Sequence, residues 1–544
     1  MTRELPADQS PPYPSNPPVV PRTMATQHPD SAARYVAIQE EAQEAVQALT
    51  PPPLGLGIHE VMVDFEGKMT PYHQTNQIAQ GLLDRGVVPG REVWITPRIS
   101  SATEETAFRQ LMALMSVIEA TYQASQREPE AAIQEVIIPM VASAEDLVKV
   151  RDRIRDVIYL GHKEFGLPNE PDSLQLVPLV EEVPSLLRVG ALLREYVAAA
   201  RSQGFGVRRL RVMLGRSDAA LSYGHLPSAL CVRVALSEIY GAAEDLGLDP
   251  LPVYGAGYLP FRGGVMLANL DNLERDFPGL GTVTIQSGIR YDTDEAPETV
   301  RRLNELLERP APASVRLEAE DAAFVTDCVA LLTIPYLETF YRLAPVVRAL
   351  SDIMPAHRDR LARKGPAGYA RAGADLEKLA GLVTAPDLAE RLRGAGRGTA
   401  ADLPRAISFT GALYSVGLPP EFIGTGRGLR LVADRFGGEG IARLLELYPG
   451  LRFDLAWAAR FLDFAAADRI LPMEVTEEVR RDVEFASDML SLDPPEPVPG
   501  YRLLLETIQP MLRILVSGEE LLEEDRSLVH DWLCRLGSLR GSLG

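Results

Sequence analysis

The feature that most constrains the fold of this chain is a rhythm. Short apolar runs of strand length recur, separated by longer amphipathic runs of helical length. The strand candidates are Ile58–Val63, Glu92–Thr96, Glu135–Pro139, Leu174–Leu179, Leu210–Leu214, Leu251–Tyr254 and Thr282–Gln286. Helical patterns separate most of them, among them Thr103–Gln126, Ala144–Glu164, Leu186–Gln203, Ser228–Leu246 and Pro297–Leu307. Seven βα-like units, spaced about 30 to 45 residues apart, predict an α/β fold of the (β/α)8 TIM-type barrel class rather than a doubly wound sheet. An eighth strand is expected at Arg405–Phe409, after a helical insertion over about 319–392. The expected division is a disordered Pro-rich leader over 1–22, a barrel over 23–435, and a helical C-terminal extension over 436–544.

Composition narrows the partners. The net charge of −20 argues against nucleic acid and against an anionic membrane surface. A small anionic substrate would need a local cluster of positive charge. No run of 18 or more apolar residues occurs, so no membrane span is expected. The leader lacks the apolar core of a signal peptide. Three cysteines, Cys231, Cys328 and Cys534, lie far apart with no CxxC pair, which speaks against a disulfide framework or zinc knot. A reducing cytoplasm is the simplest location.

Polar and Gly-rich segments follow the strand candidates, where barrels of this class build their active sites. The stretch LPVYGAGYLPFRGGV, 251–265, runs from a strand into a Gly-rich loop with Arg262, Gly263 and Gly264. Glycines allow close backbone approach to an anion, and Arg adds a planar charged fork. Arg98 in ITPRIS, Arg216 in GRSD, Arg290 in QSGIRYD and Arg405 in PRAISF stand at or near other strand ends. Five arginines focused on one mouth would bind a substrate carrying both phosphate and carboxylate. Each alone reads equally well as a structural ion-pair partner. Glu181 and Asp218 come from adjacent strand ends, as carboxylates that hold Mg2+ or Mn2+ do, or else as a helix N-cap and a surface acid. Asp64, Glu66 and Lys68 of DFEGK could brace the arginines or touch the metal.

Taken together these segments resemble the archaeal-type phosphoenolpyruvate carboxylases. The matching stretches are TQHPD at 26–30, DFEGK at 64–68, TPRI at 96–99, VPLVEE at 177–182, RVMLGRSDAAL at 211–221, LPFRGG at 259–264, TVTIQSGIRYD at 282–292, IMPAHRDR at 353–360 and RAISFTGALYSVGLPPEFIG at 405–424. They keep one order and cover residues 23 to about 430. Larger bacterial and plant carboxylases are similar more distantly, through a TAHPT-like segment at His28, a PLFET-like segment at Glu181 and a GYSDS-like segment at Asp218. Their Gly-rich loop carries an additional His and Arg, where this chain has YGAGYLP.

The resemblance implies a reaction of phosphoenolpyruvate with bicarbonate to give oxaloacetate and phosphate, through carboxyphosphate and a metal-stabilised pyruvate enolate. It implies anaplerotic CO2 fixation. It implies catalytic roles for His28, Arg262 and Arg290, and substrate binding by Arg98, Arg216, Arg405, Gly263 and Gly264. It further implies Mg2+ or Mn2+ on Glu181 and Asp218, and a cytoplasmic homotetramer with the C-terminal helices as the interface. Two other readings remain at this level: another metal-dependent phosphoenolpyruvate/pyruvate-type barrel lyase or aldolase, and a catalytically inactive barrel serving as a scaffold.

Overall fold

The computed structural model describes residues 20–101, 106–128, 131–167, 173–360, 373–396, 403–493 and 495–544. Eight strands, Thr23–Ala25 (β1), Glu60–Asp64 (β2), Trp94–Arg98 (β3), Glu135–Ile138 (β4), Gln175–Val180 (β5), Arg209–Gly215 (β6), Asp249–Gly255 (β7) and Thr282–Ile285 (β8), close into a parallel barrel in chain order. All seven strands expected from the rhythm are present, each ending within two residues of expectation.

The strand that closes the barrel is not the one expected. Arg405–Phe409 is no strand: Arg405 stands just before the helix Ala406–Tyr414. Closure comes instead from β1, whose Met24 pairs with Glu60 of β2 and whose Thr23 pairs with Val283 of β8. The physical reason is twofold. AISFTGALY is apolar on nearly every side and largely buried, so its sequence has no helical period to set it apart from a strand. A three-residue strand such as TMA is too short to show any alternation. The helices expected as an insertion before the last strand therefore follow it.

Residues 1–19 of the expected leader lie outside the described residues. Pro21 and Arg22 already belong to the barrel wall, since the Pro21 carbonyl accepts from Thr282 Oγ1 (2.5 Å) and the Arg22 carbonyl from Val283 N–H (2.8 Å).

Inside the barrel, Met24, Met62, Ile137, Val177, Leu179, Met213 and Val253 form a separate apolar cluster. Residues two apart on a strand share a face, so this layer divides a polar floor from a polar mouth. After β8 the chain is helical. The helix Ala319–Ser351 is 33 residues long and apolar enough to span a bilayer, yet 89% of its most apolar window is buried within the protein. It packs on the helices His225–Leu246 and Thr425–Leu447, so protein supplies the apolar environment it requires. Thr425–Leu447 runs across position 435 and kinks at Gly437.

Candidate active site

The C-terminal ends of the strands open into one cavity. His28 reaches it after β1, Glu66 and Gly67 after β2, Arg98 at the end of β3, Glu181 after β5 and Asp218 after β6. Arg262 follows β7, Gln286 follows β8, and Arg360 and Arg405 come from the later helical region. Of the ten residues expected to form the site, seven line this cavity: His28, Arg98, Glu181, Arg216, Asp218, Arg262 and Arg405. Arg290, Gly263 and Gly264 do not line it.

Several arginines are held from behind. Arg98 donates through Nε and Nη2 to the two Asp64 carboxylate oxygens at 2.9 and 2.8 Å, and its Nη1 lies 2.9 Å from Glu66 Oε2. Arg360 Nη1 donates to Asp64 Oδ2 at 2.7 Å and its Nη2 to the Gln27 carbonyl at 2.8 Å. Burial would raise the Asp64 pKa, but Arg98 and Arg360 outweigh it and hold the carboxyl well below its usual range. Arg262 donates to Gln286 Oε1 (2.7 Å), Ser217 Oγ (3.2 Å) and the Gly544 carbonyl (2.5 Å), and faces Asp30 Oδ2 at 3.6 Å. Its guanidinium passes over Gly257, where a Cβ would come within 3.1 Å of Arg262 Cζ. Multiple bonds to rigid partners fix these forks before any anion arrives.

Two arginines are engaged elsewhere. Arg216 is completely buried, and its Nη2 lies 3.0 Å from His225 Nδ1 and 2.9 Å from the His225 carbonyl. Its Nη1 reaches Ser228 Oγ and, at 3.4 Å, the Phe261 carbonyl. It thus ties the start of one helix to the Gly-rich loop. Arg290 pairs with Glu44 at 3.1 Å and donates to the Thr26 carbonyl at 2.6 Å. The Gly263 and Gly264 N–H groups donate to the carbonyls of Pro260 (2.9 Å) and Leu259 (3.0 Å). Their φ values of +124° and +69° explain why glycine is needed, and the N–H groups serve the turn.

His28 is only partly buried. Its Nδ1 lies 2.8 Å from Thr26 Oγ1, and Nε2 has no protein partner among the described residues. Burial lowers its pKa well below the usual histidine range, and the positive charges of Arg98, Arg360 and Arg262 lower it further. The ring is therefore neutral near pH 7 and can accept a proton at its open nitrogen.

Glu181 and Asp218 line the same wall. Gly215 lies against Glu181, where a Cβ would come within 2.8 Å of the Glu181 Cβ. Among the described residues no three His, Cys, Asp or Glu side chains gather in metal-binding geometry. Two carboxylates from neighbouring strand ends, leaving other positions to water or substrate oxygen, fit a hard divalent cation and not a closed zinc site.

Sequence reasoning missed Arg360, Gln286 and Ser217 in this wall. The signal for Arg360 was present in HRDR: Arg358 and Arg360 alternate in one short segment. Arg358 Nη1 pairs with Glu41 at 3.1 Å and Nη2 with Glu44, while Arg360 turns to Asp64. Lys68 is buried against Glu41 and donates to Gln27 Oε1 at 2.9 Å, bracing the segment before His28. The last residues also pack here, with Leu543 N–H donating to the Asp30 carbonyl at 2.8 Å.

A family profile described as phosphoenolpyruvate carboxylase matches residues 20–544. A phosphoenolpyruvate carboxylase of Methanopyrus kandleri is 41% identical over 534 residues, covering 96% of this chain and 98% of its own. That of Methanosarcina mazei is 38% identical and covers 96% and 99%, and that of Thermofilum pendens is 34% identical and covers 92% and 98%. Among solved structures, a malate synthase of Haloferax volcanii in a lead(II) complex is 14% identical with a TM-score of 0.36, covering 78% of this chain and 98% of its own.

Proposed function

We propose, from the premise that this chain belongs to the phosphoenolpyruvate carboxylase family, that its barrel mouth joins phosphoenolpyruvate to bicarbonate and yields oxaloacetate and phosphate. The observation that carries the reading is the gathering of His28, Glu181, Asp218, Arg98, Arg262 and Arg405 around one cavity. An oxygen of bicarbonate attacks phosphorus and the bond to the enol oxygen breaks, giving carboxyphosphate and the enolate of pyruvate. Arg262 and Arg405 neutralise phosphoryl and carboxylate oxygens as charge moves between them. His28 Nε2 takes the carboxyphosphate proton, phosphate leaves, and the CO2 released meets the enolate carbon to form the new bond.

Glu181 and Asp218 would hold the divalent cation the family implies, Mg2+ or Mn2+. Such an ion, when bound, supplies positive charge beside the developing enolate. In this reading Arg216 lies in the wall with its guanidinium turned to His225, Ser228 and the Gly-rich loop, and Arg290 acts from behind the wall on the backbone before His28. Residues 436–544 belong to the catalytic unit, a view supported by the Gly544 contact to Arg262. We further infer a homotetramer, in keeping with exposed Met473 and Leu503 on the C-terminal helices and Leu522 just before the last of them. The three free cysteines accord with a reducing cytoplasm and with CO2 fixation that replenishes four-carbon acids.

The test is a coupled assay in which purified protein receives phosphoenolpyruvate, bicarbonate and Mg2+ and oxaloacetate is reduced by malate dehydrogenase. Bicarbonate-dependent oxaloacetate, abolished by a chelator, is expected. Consumption of phosphoenolpyruvate without oxaloacetate would overturn the reading. His28→Asn is expected to keep bicarbonate-stimulated phosphate release while losing oxaloacetate, and an equal loss of both products would remove His28 from this role.

A further inference from the structure

His28 has one ring nitrogen bound and one open, and the bound one touches a residue with no assigned part in the chemistry. Thr26 Oγ1 lies 2.8 Å from His28 Nδ1, and Thr26 is completely buried. Among the described residues Nδ1 is the hydroxyl's one hydrogen-bond partner, so the direction of this bond and the tautomer of the ring are set together. Its backbone is fixed on both sides. The Thr26 N–H donates to the Ile285 carbonyl of β8 at 3.2 Å, and its carbonyl accepts from Arg290 Nη2 at 2.6 Å. Arg290 is in turn anchored by Glu44, which also meets Arg358 and accepts from Tyr291 at 2.6 Å. The hydroxyl therefore sits on a backbone position hydrogen-bonded through both its N–H and its carbonyl.

We propose that Thr26 is the positioning residue for His28: its hydroxyl bonds Nδ1 and turns Nε2 to the cavity, and by accepting the Nδ1–H it leaves the Nε2 lone pair open to a proton. The proposal rests on the reading of His28 as the base in carboxylation. A proton acceptor needs its lone pair at the reacting side, and which ring nitrogen carries the hydrogen is set by the partner of the other. The opposite arrangement, with the threonine hydroxyl donating to Nδ1, would leave a hydrogen on Nε2 and no base.

A hydroxyl suits this site better than the carboxylate that orients histidine in Ser-His-Asp arrangements. The groups acting on the ring are Arg98 from β3, Arg360 from the segment after the long helix, Arg262 from the Gly-rich loop and Asp64 from β2. Carboxylate pairing would raise the basicity of the ring and favour the charged form before substrate arrives. A neutral oxygen orients the ring without adding charge. It also keeps its bond after proton transfer, because the imidazolium Nδ1–H still donates to the same oxygen.

The test uses the full chain with Thr26→Val, which removes the hydroxyl at nearly constant shape, and Thr26→Ser, which retains it. Phosphate and oxaloacetate are measured side by side with phosphoenolpyruvate, bicarbonate and Mg2+. In Thr26→Val the oxaloacetate formed per phosphate is expected to fall by about tenfold or more, part of the ~10²–10⁴ that general-base catalysis contributes. KM for phosphoenolpyruvate should stay within about twofold, since the substrate-binding arginines are untouched. Thr26→Ser should keep the wild-type ratio. Equal loss of both products in Thr26→Val, or a Ser variant as impaired as the Val variant, would reduce Thr26 to a packing role.

His28→Asn run in parallel separates the two ideas. If its product ratio changes and that of Thr26→Val does not, Thr26 alone is excluded. If neither changes, the base reading itself fails and the proposal goes with it. Nitrogen-15 spectra of histidine-labelled protein give a readout independent of turnover, with the His28 signals among the seven histidines identified by their loss in His28→Asn. An Nδ1–H tautomer is expected in the wild type and a mixture in Thr26→Val. An Nε2–H tautomer in the wild type would overturn the assignment.

Discussion

The floor and the mouth of this barrel are built from the same residue types and do opposite things. At the floor, Arg211 of β6 pairs with Glu60 of β2 and, at 2.5 Å, with Glu135 of β4, while Thr282 Oγ1 of β8 lies 3.3 Å from Nη2. Thr96 of β3 also donates to Glu60, and every member is buried. At the mouth, Asp64 of β2 stands between Arg98 and Arg360, and both arginines line the open cavity. Glu60 and Asp64 are four residues apart on one strand and share a face, so a single strand supplies an acid to each cluster. The floor ions meet one another and buried protein groups, Thr96, Thr282 and the Trp94 ring, on every side. The mouth ions are held by protein on one side and left facing a cavity on the other. An arginine is therefore read from what lies on both of its sides, and its place in the sequence gives only one of them.

The largest effect is expected at the floor. Arg211→Met leaves two buried glutamates without their cation and should destabilise the protein by about 3–5 kcal/mol. The folded fraction should keep its activity, because no floor residue reaches the cavity. Replacing the whole cluster, with Glu60→Leu and Glu135→Leu added, should restore most of the loss, since matched apolar side chains carry no desolvation cost. Chemical denaturation of the single and triple variants measures both. A triple variant less stable than Arg211→Met would break the view that the floor is only structural.

The mouth should answer in the reverse sense. Arg405→Gln is expected to lower kcat/KM for phosphoenolpyruvate by about 10²–10³, the range seen when one donor to a developing charge is removed. The unfolding midpoint should move little. Steady-state kinetics and thermal unfolding on the same preparation check the contrast. A large loss of stability with unchanged kcat/KM would place Arg405 with the floor residues.

Much of this division was legible before any coordinates. The seven long strands carried their own periodicity, and seven of the ten expected site residues do line the cavity. What sequence could not supply was direction. Arg216 and Arg290 stand at strand ends like Arg98 and Arg262, yet their partners, His225 and Glu44, are nine and 246 residues away, as the contacts Arg216–His225 and Arg290–Glu44 record. Arg360 failed the other way: it lies far from any strand end and enters the mouth only because the segment after the long helix folds back over β2. β1 was missed because three residues carry no period.

The smallest effect tests the boundary between mouth and support. Glu421 lies behind the Gly-rich loop, where Oε1 accepts from Phe261 N–H at 2.9 Å and from the Tyr414 hydroxyl at 2.8 Å, while Oε2 has no hydrogen-bond partner among the described residues. Burial pushes its carboxyl up from 4.5 to about 7. The folded state then binds more protons than the unfolded state between those values, so the contribution of Glu421 to stability falls as pH rises through that window. Above about 7 both states are ionised and the loss is complete. Relative to Glu421→Gln, which does not titrate, the wild type should lose up to about 1.4 kcal/mol per pH unit within the window. Denaturation of both proteins at pH 5.5 and pH 7.5, on the order of one unit inside and half a unit above the window, reads the change in their difference. A constant difference would mean that Glu421 keeps an ordinary carboxyl pKa, and the loop that carries Arg262 would then rest on a buried charge, as the floor does.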